Sequence, residues 1–96
     1  MISIKHLNEK DIDLCYELDS NTIFLWSKKQ WAKEFKKEGV KVFGVLFFKL
    51  VVGICVFHVV LDEAQINFFA VNKKYRKKGF GTYLMTFLIK ECENLN

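Results

Sequence analysis

The spacing of apolar residues changes period along the chain, and each change marks an element. Ile2 and Ile4 alternate with polar neighbours, so residues 2–6 are expected as a short strand with both on one face. Asn8 then stands as the N-cap of a helix over 9–19, with Glu9 and Asp11 in the first turn, where the helix dipole favours anions. Ile12, Cys15 and Tyr16 share the buried face of that helix. Residues 20–26 read as a loop. Ser27 caps a second helix, and Gln30 three positions on completes a capping box. Trp31 and Phe35, one turn apart, face inward, while Lys28, Lys29, Lys33, Lys36 and Lys37 cover the solvent side. Gly39 is expected to end the helix.

Residues 42–61 form an apolar window whose only ionisable groups are Lys49 and His58, and it is long enough to span a bilayer. Many β-branched residues, Gly44, Gly53 and a near-central lysine argue against that reading; such a lysine costs about 2.5–3.5 kcal/mol on insertion. A buried hairpin fits better, with strands over 41–47 and 50–61 turning around 47–50, although that turn holds no Gly, Asn or Asp. Its near-continuous apolar character implies burial on both faces, as in a sheet with helices on each side. His58 inside the second strand reads as a satisfied structural residue in preference to a catalyst. Asp62 and Glu63 make a turn, an apolar strand covers 66–71, and a last helix carries Leu84, Phe87, Leu88 and Cys92 on its apolar side. The order β-α-α-β-β-β-α is that of an α/β protein.

Composition narrows the class. Ninety-six residues make one domain, 1–96, and 51% hydrophobic content with ten Phe argues against disorder. The net charge is +4, but five of the fifteen Lys and Arg crowd into residues 73–78, which points to a site. Cys15, Cys55 and Cys92 are widely spaced and lack a CxxC pair; they read as reduced thiols of a cytoplasmic protein, with neither a metal site nor a disulfide framework. No signal peptide is visible at the N-terminus.

The chemistry lies in residues 64–84, AQINFFAVNKKYRKKGFGTYL. A strand, a basic glycine turn and a helix start make a pocket for an anion. The first amides of a helix have no intrahelical partners, the dipole adds positive character, and glycine lets a phosphate approach the backbone. The spacing Arg76-x-x-Gly79-x-Gly81 is neither GxGxxG nor a Walker loop, so the dinucleotide and nucleoside-triphosphate readings fail on spacing. A solvated surface loop or a weak nucleic-acid patch are the other readings of the basic run; for the latter, only Tyr75 and Phe80 interleave it and no RNA- or DNA-binding signature accompanies it.

That turn resembles the acetyl-CoA pyrophosphate loop, Q/R-x-x-G-x-G/A, of the GNAT N-acetyltransferases. The segment from Val59 through Asp62, Glu63 and Ala64, the strand end Phe69-Ala70-Val71, and Tyr75 to Gly81 are similar to the ribosomal-protein-alanine branch of that family. Phe24-Leu25-Trp26-Ser27 resembles the branch's loop before its second helix, with Leu-Trp where Pro-Trp is usual. The resemblance covers essentially the whole chain. It implies the GNAT fold and acetyl transfer from acetyl-CoA to a protein N-terminal α-amine. It also implies pantetheine contacts from Phe69, Ala70 and Val71, and pyrophosphate contacts from the amides of Lys77, Lys78, Gly79, Phe80, Gly81 and Thr82. Arg76, Lys77 and Lys78 would supply charge.

The same resemblance implies that the chain ends after the third helix, before the strand and helix that carry the branch's glutamate base and tyrosine acid. Another branch places its base at the position of Gln65, which cannot serve. Glu63, Tyr75 and Tyr83 lie nearby without matching a catalytic position, so no catalytic residue is assigned. An exposed apolar edge at 66–71 would follow, open to pairing with a second chain. The alternative reading is therefore a non-catalytic module that binds CoA or pairs strands.

Overall fold

The computed structural model describes residues 1–94. Four strands form one antiparallel sheet in the order β1 (Ile2–Leu7), β2 (Val40–Phe47), β3 (Leu50–Val60) and β4 (Glu63–Val71). Helices α1 (Ile12–Ser20) and α2 (Lys28–Lys36) connect β1 to β2 and cover one face; α3 (Phe80–Asn94) follows β4 and covers the other. The membrane-length window is thus the β2–β3 hairpin, and among the described residues no helix is long and apolar enough to cross a membrane.

Because both faces are covered, the central strands carry apolar side chains throughout. Leu7, Val42, Ile54, Val56, Phe68 and Ala70 pack under α1 and α2 with Cys15, Leu18 and Trp31. Phe43, Val45, Val52, Cys55 and Phe57 pack under α3 with Phe80, Leu84 and Leu88. Trp31 is the hub of the first cluster, edge-on to Trp26 at 4.9 Å and to Phe68 at 5.1 Å between ring centroids.

The caps follow the sequence closely. Ser27 and Gln30 exchange hydrogen bonds at the start of α2, as a capping box should. Asn8 and Asp11 do the same, but around a 3₁₀ turn, Glu9–Asp11, that leads into α1. Gly39 is not the residue that ends α2. The helix stops at Lys36, Lys37 is already extended, and Gly39 at φ +82° turns the chain into β2. A Cβ there would come within 2.8 Å of the Val59 carbonyl oxygen, so close strand approach, not capping, requires the glycine.

The β2–β3 turn falls on Phe48 and Lys49, both in the left-handed region, at φ 51° and 76°. Two consecutive positive values are the signature of the hairpin turn whose twist matches the flanking strands. Residues ill-suited to it adopt it because both strands are buried. β4 starts at Glu63, three residues before the apolar run, and pairs along β3 over its whole length.

Two bulges interrupt the ladders. Val52 is the extra residue of β3 against β2, since Val45 faces Gly53 and Leu46 faces Val51. Asn67 is the extra residue of β4 against β3, since Val56 faces Phe68 and Phe57 faces Ile66. The second bulge switches the faces of β4. Ala64 and Ile66 lie on the α3 side, whereas beyond Asn67 the α3 side is taken by Phe69 and Val71 and the α2 side by Phe68 and Ala70.

Candidate functional site

The basic turn begins where the β3–β4 pair ends. The Asn72 amide donates to the Val52 carbonyl at 2.7 Å, so the β3 bulge anchors the last residue before the turn. The Asn72 side chain accepts from the Lys74 amide at 3.0 Å and caps the 3₁₀ turn Lys73–Tyr75, whose final amide returns to the Asn72 carbonyl at 2.9 Å. Arg76 folds back, its Nε donating to the Val71 carbonyl at 3.1 Å. That bond ties the loop to the strand end and holds the guanidinium at the mouth of the turn.

Lys77 and Gly79 then take positive φ, 63° and 89°, and the chain enters α3 at Phe80. The first helical hydrogen bond runs from the Tyr83 amide to the Gly79 carbonyl at 2.9 Å. The amides of Phe80, Gly81 and Thr82 therefore precede it, free for an anion. A cavity of about 250 Å³ opens there, lined by Val71, Tyr75, Arg76, Lys77, Gly79, Gly81 and Thr82.

The turn thus brings together Val71, Arg76, Lys77, Gly79, Gly81 and Thr82 of the residues expected from sequence. Lys78 is exposed beside the cavity and does not line it. Phe80 contributes only its backbone, because its ring is buried against Phe47 and Tyr75, at 5.4 and 5.9 Å. That burial fixes the helix start. Phe69 and Ala70 lie further back in β4, with Ala70 buried under α2 and Phe69 turned toward α3. Gly53 lets β4 come close at its end, since a Cβ there would meet Val45 Cγ1 at 2.9 Å and the Ala70 oxygen at 3.3 Å.

Residues weighed for acid–base work are scattered. Glu63 and Gln65 are exposed on β4, Tyr83 is exposed on α3, and Tyr75 packs on Phe47 and Phe80. His58 is satisfied, its Nε2 donating to the Glu38 carbonyl at 3.0 Å. Burial pushes the Cys15 thiol up to about 12, with the Asp11 carboxylate adding to it, and burial with the neighbouring Cys92 does the same for Cys55. Neither is a thiolate nucleophile at neutral pH. Among the described residues no cluster of three or more His, Cys, Asp or Glu could hold a metal.

Three polar residues escaped the sequence reading. Asp19 is fully buried and accepts from the Leu25 amide (2.7 Å), the Trp26 amide (2.8 Å) and Trp31 Nε1 (3.0 Å), which clamps the loop between α1 and α2. Its signal was an aspartate in the last turn of a helix, where the dipole disfavours it. Glu34 and Asn67 bond to each other from α2 and β4, and nothing in their spacing announces the pair.

The sequence profile of the acetyltransferase (GNAT) family matches residues 7–96. The chain belongs to this family. Its four-stranded antiparallel sheet and three helices are the GNAT fold, as expected from the loop and strand motifs. Among solved structures, the ribosomal-protein-S18-alanine N-acetyltransferase of Escherichia coli superposes with a TM-score of 0.90 at 28% identity, over 98% of this chain and 61% of that one. The chain thus spans less than two thirds of that GNAT enzyme's length. A ribosomal-protein-alanine N-acetyltransferase of Brucella melitensis gives 0.83 at 17% identity, covering 98% and 73% of the two chains. The PaiA N-acetyltransferase of Thermoplasma acidophilum, solved with coenzyme A, gives 0.80 at 14% identity, again over 98% and 73%. Those two likenesses speak for the fold. No curated protein sequence matches the chain.

Proposed function

We propose that this chain carries the cofactor half of an acetyl-CoA-dependent N-acetyltransferase whose acceptor is a protein N-terminal α-amine. The observation that carries the reading is the Arg76-x-x-Gly79-x-Gly81 turn, set between the end of β4 and the N-terminus of a fifteen-residue helix, with a cavity over its amides. Family membership supports acetyl-CoA as the donor, and one GNAT neighbour was solved with coenzyme A. The acceptor class rests on likeness to the Escherichia coli enzyme named for ribosomal protein S18 alanine. The reduced Cys15, Cys55 and Cys92 fit a cytoplasmic setting.

In this reading the amides of Lys77, Lys78, Gly79, Phe80, Gly81 and Thr82 receive the pyrophosphate, and Arg76, Lys77 and Lys78 neutralise it. Phe69, Ala70 and Val71 offer backbone groups to the pantetheine arm. In the reaction the acceptor nitrogen bonds the acetyl carbon, the carbon–sulfur bond breaks, and the sulfur leaves as the thiol with a proton that the amine ultimately supplies. In this reading a backbone amide of the strand over 69–71 polarises the thioester carbonyl. We assign neither the acid nor the base.

A second reading is favoured by one observation: β4 forms the edge of the sheet and Ile66 on it is 50% exposed. A module that binds CoA without turnover, or pairs this edge with a second copy, would look the same. Titration calorimetry with acetyl-CoA tests the shared premise. One-to-one binding, lost in Gly79→Val, supports the cofactor site; no binding to the folded protein refutes it. Release of CoA in the presence of an N-terminal peptide then separates transfer from binding alone.

A further inference from the structure

A buried polar link joins helix α2 to the bulge of β4. Glu34 faces the sheet from the last turn of α2 and is only 5% exposed. Its Oε1 accepts from Asn67 Nδ2 at 2.8 Å, and its Oε2 lies 2.9 Å from Lys37 Nζ. Taking a carboxylate out of water is costly, and an apolar side chain of similar size beside Trp31 and Phe35 would pack there at lower cost. Fold stability alone does not account for a glutamate at this place.

The strand opposite needs a pin. Residues 66–71 read INFFAV, and both faces of β4 are covered beyond Asn67. Register is well specified when one face is apolar and the other polar; with apolar residues facing both ways, a one-residue slip carries little hydrophobic penalty. Asn67 is the sole polar residue of this run, and it is the bulge. A single buried polar pair that sets register at some expense in stability is known from other folds.

We propose that Glu34 and Asn67 are positioning residues that lock the β4 bulge, and so decide which backbone groups of Phe69, Ala70 and Val71 face the open edge of the sheet. N–H and C=O directions alternate along a strand, so losing the bulge, which slips residues 68–71 by one against β3, exchanges the groups presented to a ligand lying along that edge. The inference rests on the assignment of these three residues to the cofactor arm.

The test uses Glu34→Leu, Glu34→Gln, Asn67→Val, the double variant Glu34→Leu/Asn67→Val and Lys37→Ala in the full chain. Thermal melting, acetyl-CoA calorimetry and cross-strand NMR contacts between Phe57 and Ile66 and between Val56 and Phe68 are read for each. Glu34→Leu and Asn67→Val each strand the partner left behind and are expected to lower the melting temperature, whereas the double variant Glu34→Leu/Asn67→Val is expected to keep or raise it. All three should lose about 10-fold in acetyl-CoA affinity, because the competent register falls to about a tenth of the population, and show a second set of cross-strand contacts. Glu34→Gln keeps the acceptor oxygen, and Lys37→Ala keeps the bond to Asn67, so both should stay within about 2-fold of the parent protein. The native contacts retained unchanged in Glu34→Leu overturn the proposal, as does an affinity that merely follows the melting temperature. Should the parent protein bind no acetyl-CoA, the cofactor reading fails, while the NMR contacts still decide whether this pair sets the register.

Discussion

Two glycines in one loop make opposite demands. Gly79 sits at φ +89° with nothing within 4 Å of where a Cβ would stand, so its requirement is conformational alone. Gly79→Val should cost about 1–2 kcal/mol through backbone strain, seen as a lower urea midpoint, and should abolish acetyl-CoA binding. Gly81 is in the first turn of α3, where a Cβ would meet Val71 Cγ2 at 3.7 Å and Phe69 Cε1 at 3.9 Å, ordinary contacts. Gly81→Ala should therefore stabilise the helix by about 0.5–1 kcal/mol and leave acetyl-CoA binding within about 2-fold, since the loop pattern accepts alanine at this position and the methyl group makes only ordinary contacts. Binding lost in Gly79→Val and kept in Gly81→Ala marks a loop whose backbone shape at Gly79 holds the ligand.

Cysteine titration offers a second residue-scale prediction. Cys15 and Cys55 are raised from 9.0 to about 12 in the fold, so the unfolded chain releases these protons first as pH climbs. Their contribution is intact below pH 9 and is lost progressively between 9 and about 12. The slope is up to about 1.4 kcal/mol per pH unit for each thiol. Urea unfolding of Cys15→Ala from pH 8 upward should show a shallower alkaline decline than the parent protein.

At the scale of elements, the loop between α1 and α2 depends on Asp19. Its carboxylate satisfies three donors inside the fold, so Asp19→Ala strands the Leu25 and Trp26 amides and the Trp31 indole. Each stranded donor costs about 1–3 kcal/mol, and the variant should lose about 3 kcal/mol or more in chemical denaturation. Asp19→Asn retains one acceptor oxygen and should fall between. The helices themselves were legible from Ser27, Gln30, Asn8 and the Trp31–Phe35 spacing, since caps and periodicity are local. Asp19 and Glu34 were not, because their partners lie in other elements. The β2–β3 turn was placed correctly without any turn residue, on the strength of the two apolar runs that flank it.

Across the whole molecule, β4 leaves the Ile66 side chain half exposed beside a groove of about 300 Å³ formed with Met85, Leu88 and Ile89 of α3. An apolar edge of this kind invites pairing. Ile66→Lys should leave the melting temperature within about 2 °C, as for a surface change, and reduce any concentration-dependent association in sedimentation. No change in association would show that this edge does not pair.

The sequence by itself determined the element order, the two-sided burial of the hairpin and the placing of a basic glycine turn at a helix start. Each follows from local spacing: apolar periodicity, helix caps, and cations beside glycines at a helix start. Tertiary structure alone decided where the bulges fall, which way Phe68 and Phe69 point, and which carboxylates go inside. A run such as INFFAV is apolar toward both faces, so nothing in it chooses one register over the next. Packing against α2 on one side and α3 on the other makes that choice, with the bond between Glu34 and Asn67 reaching across thirty-three residues at the bulge.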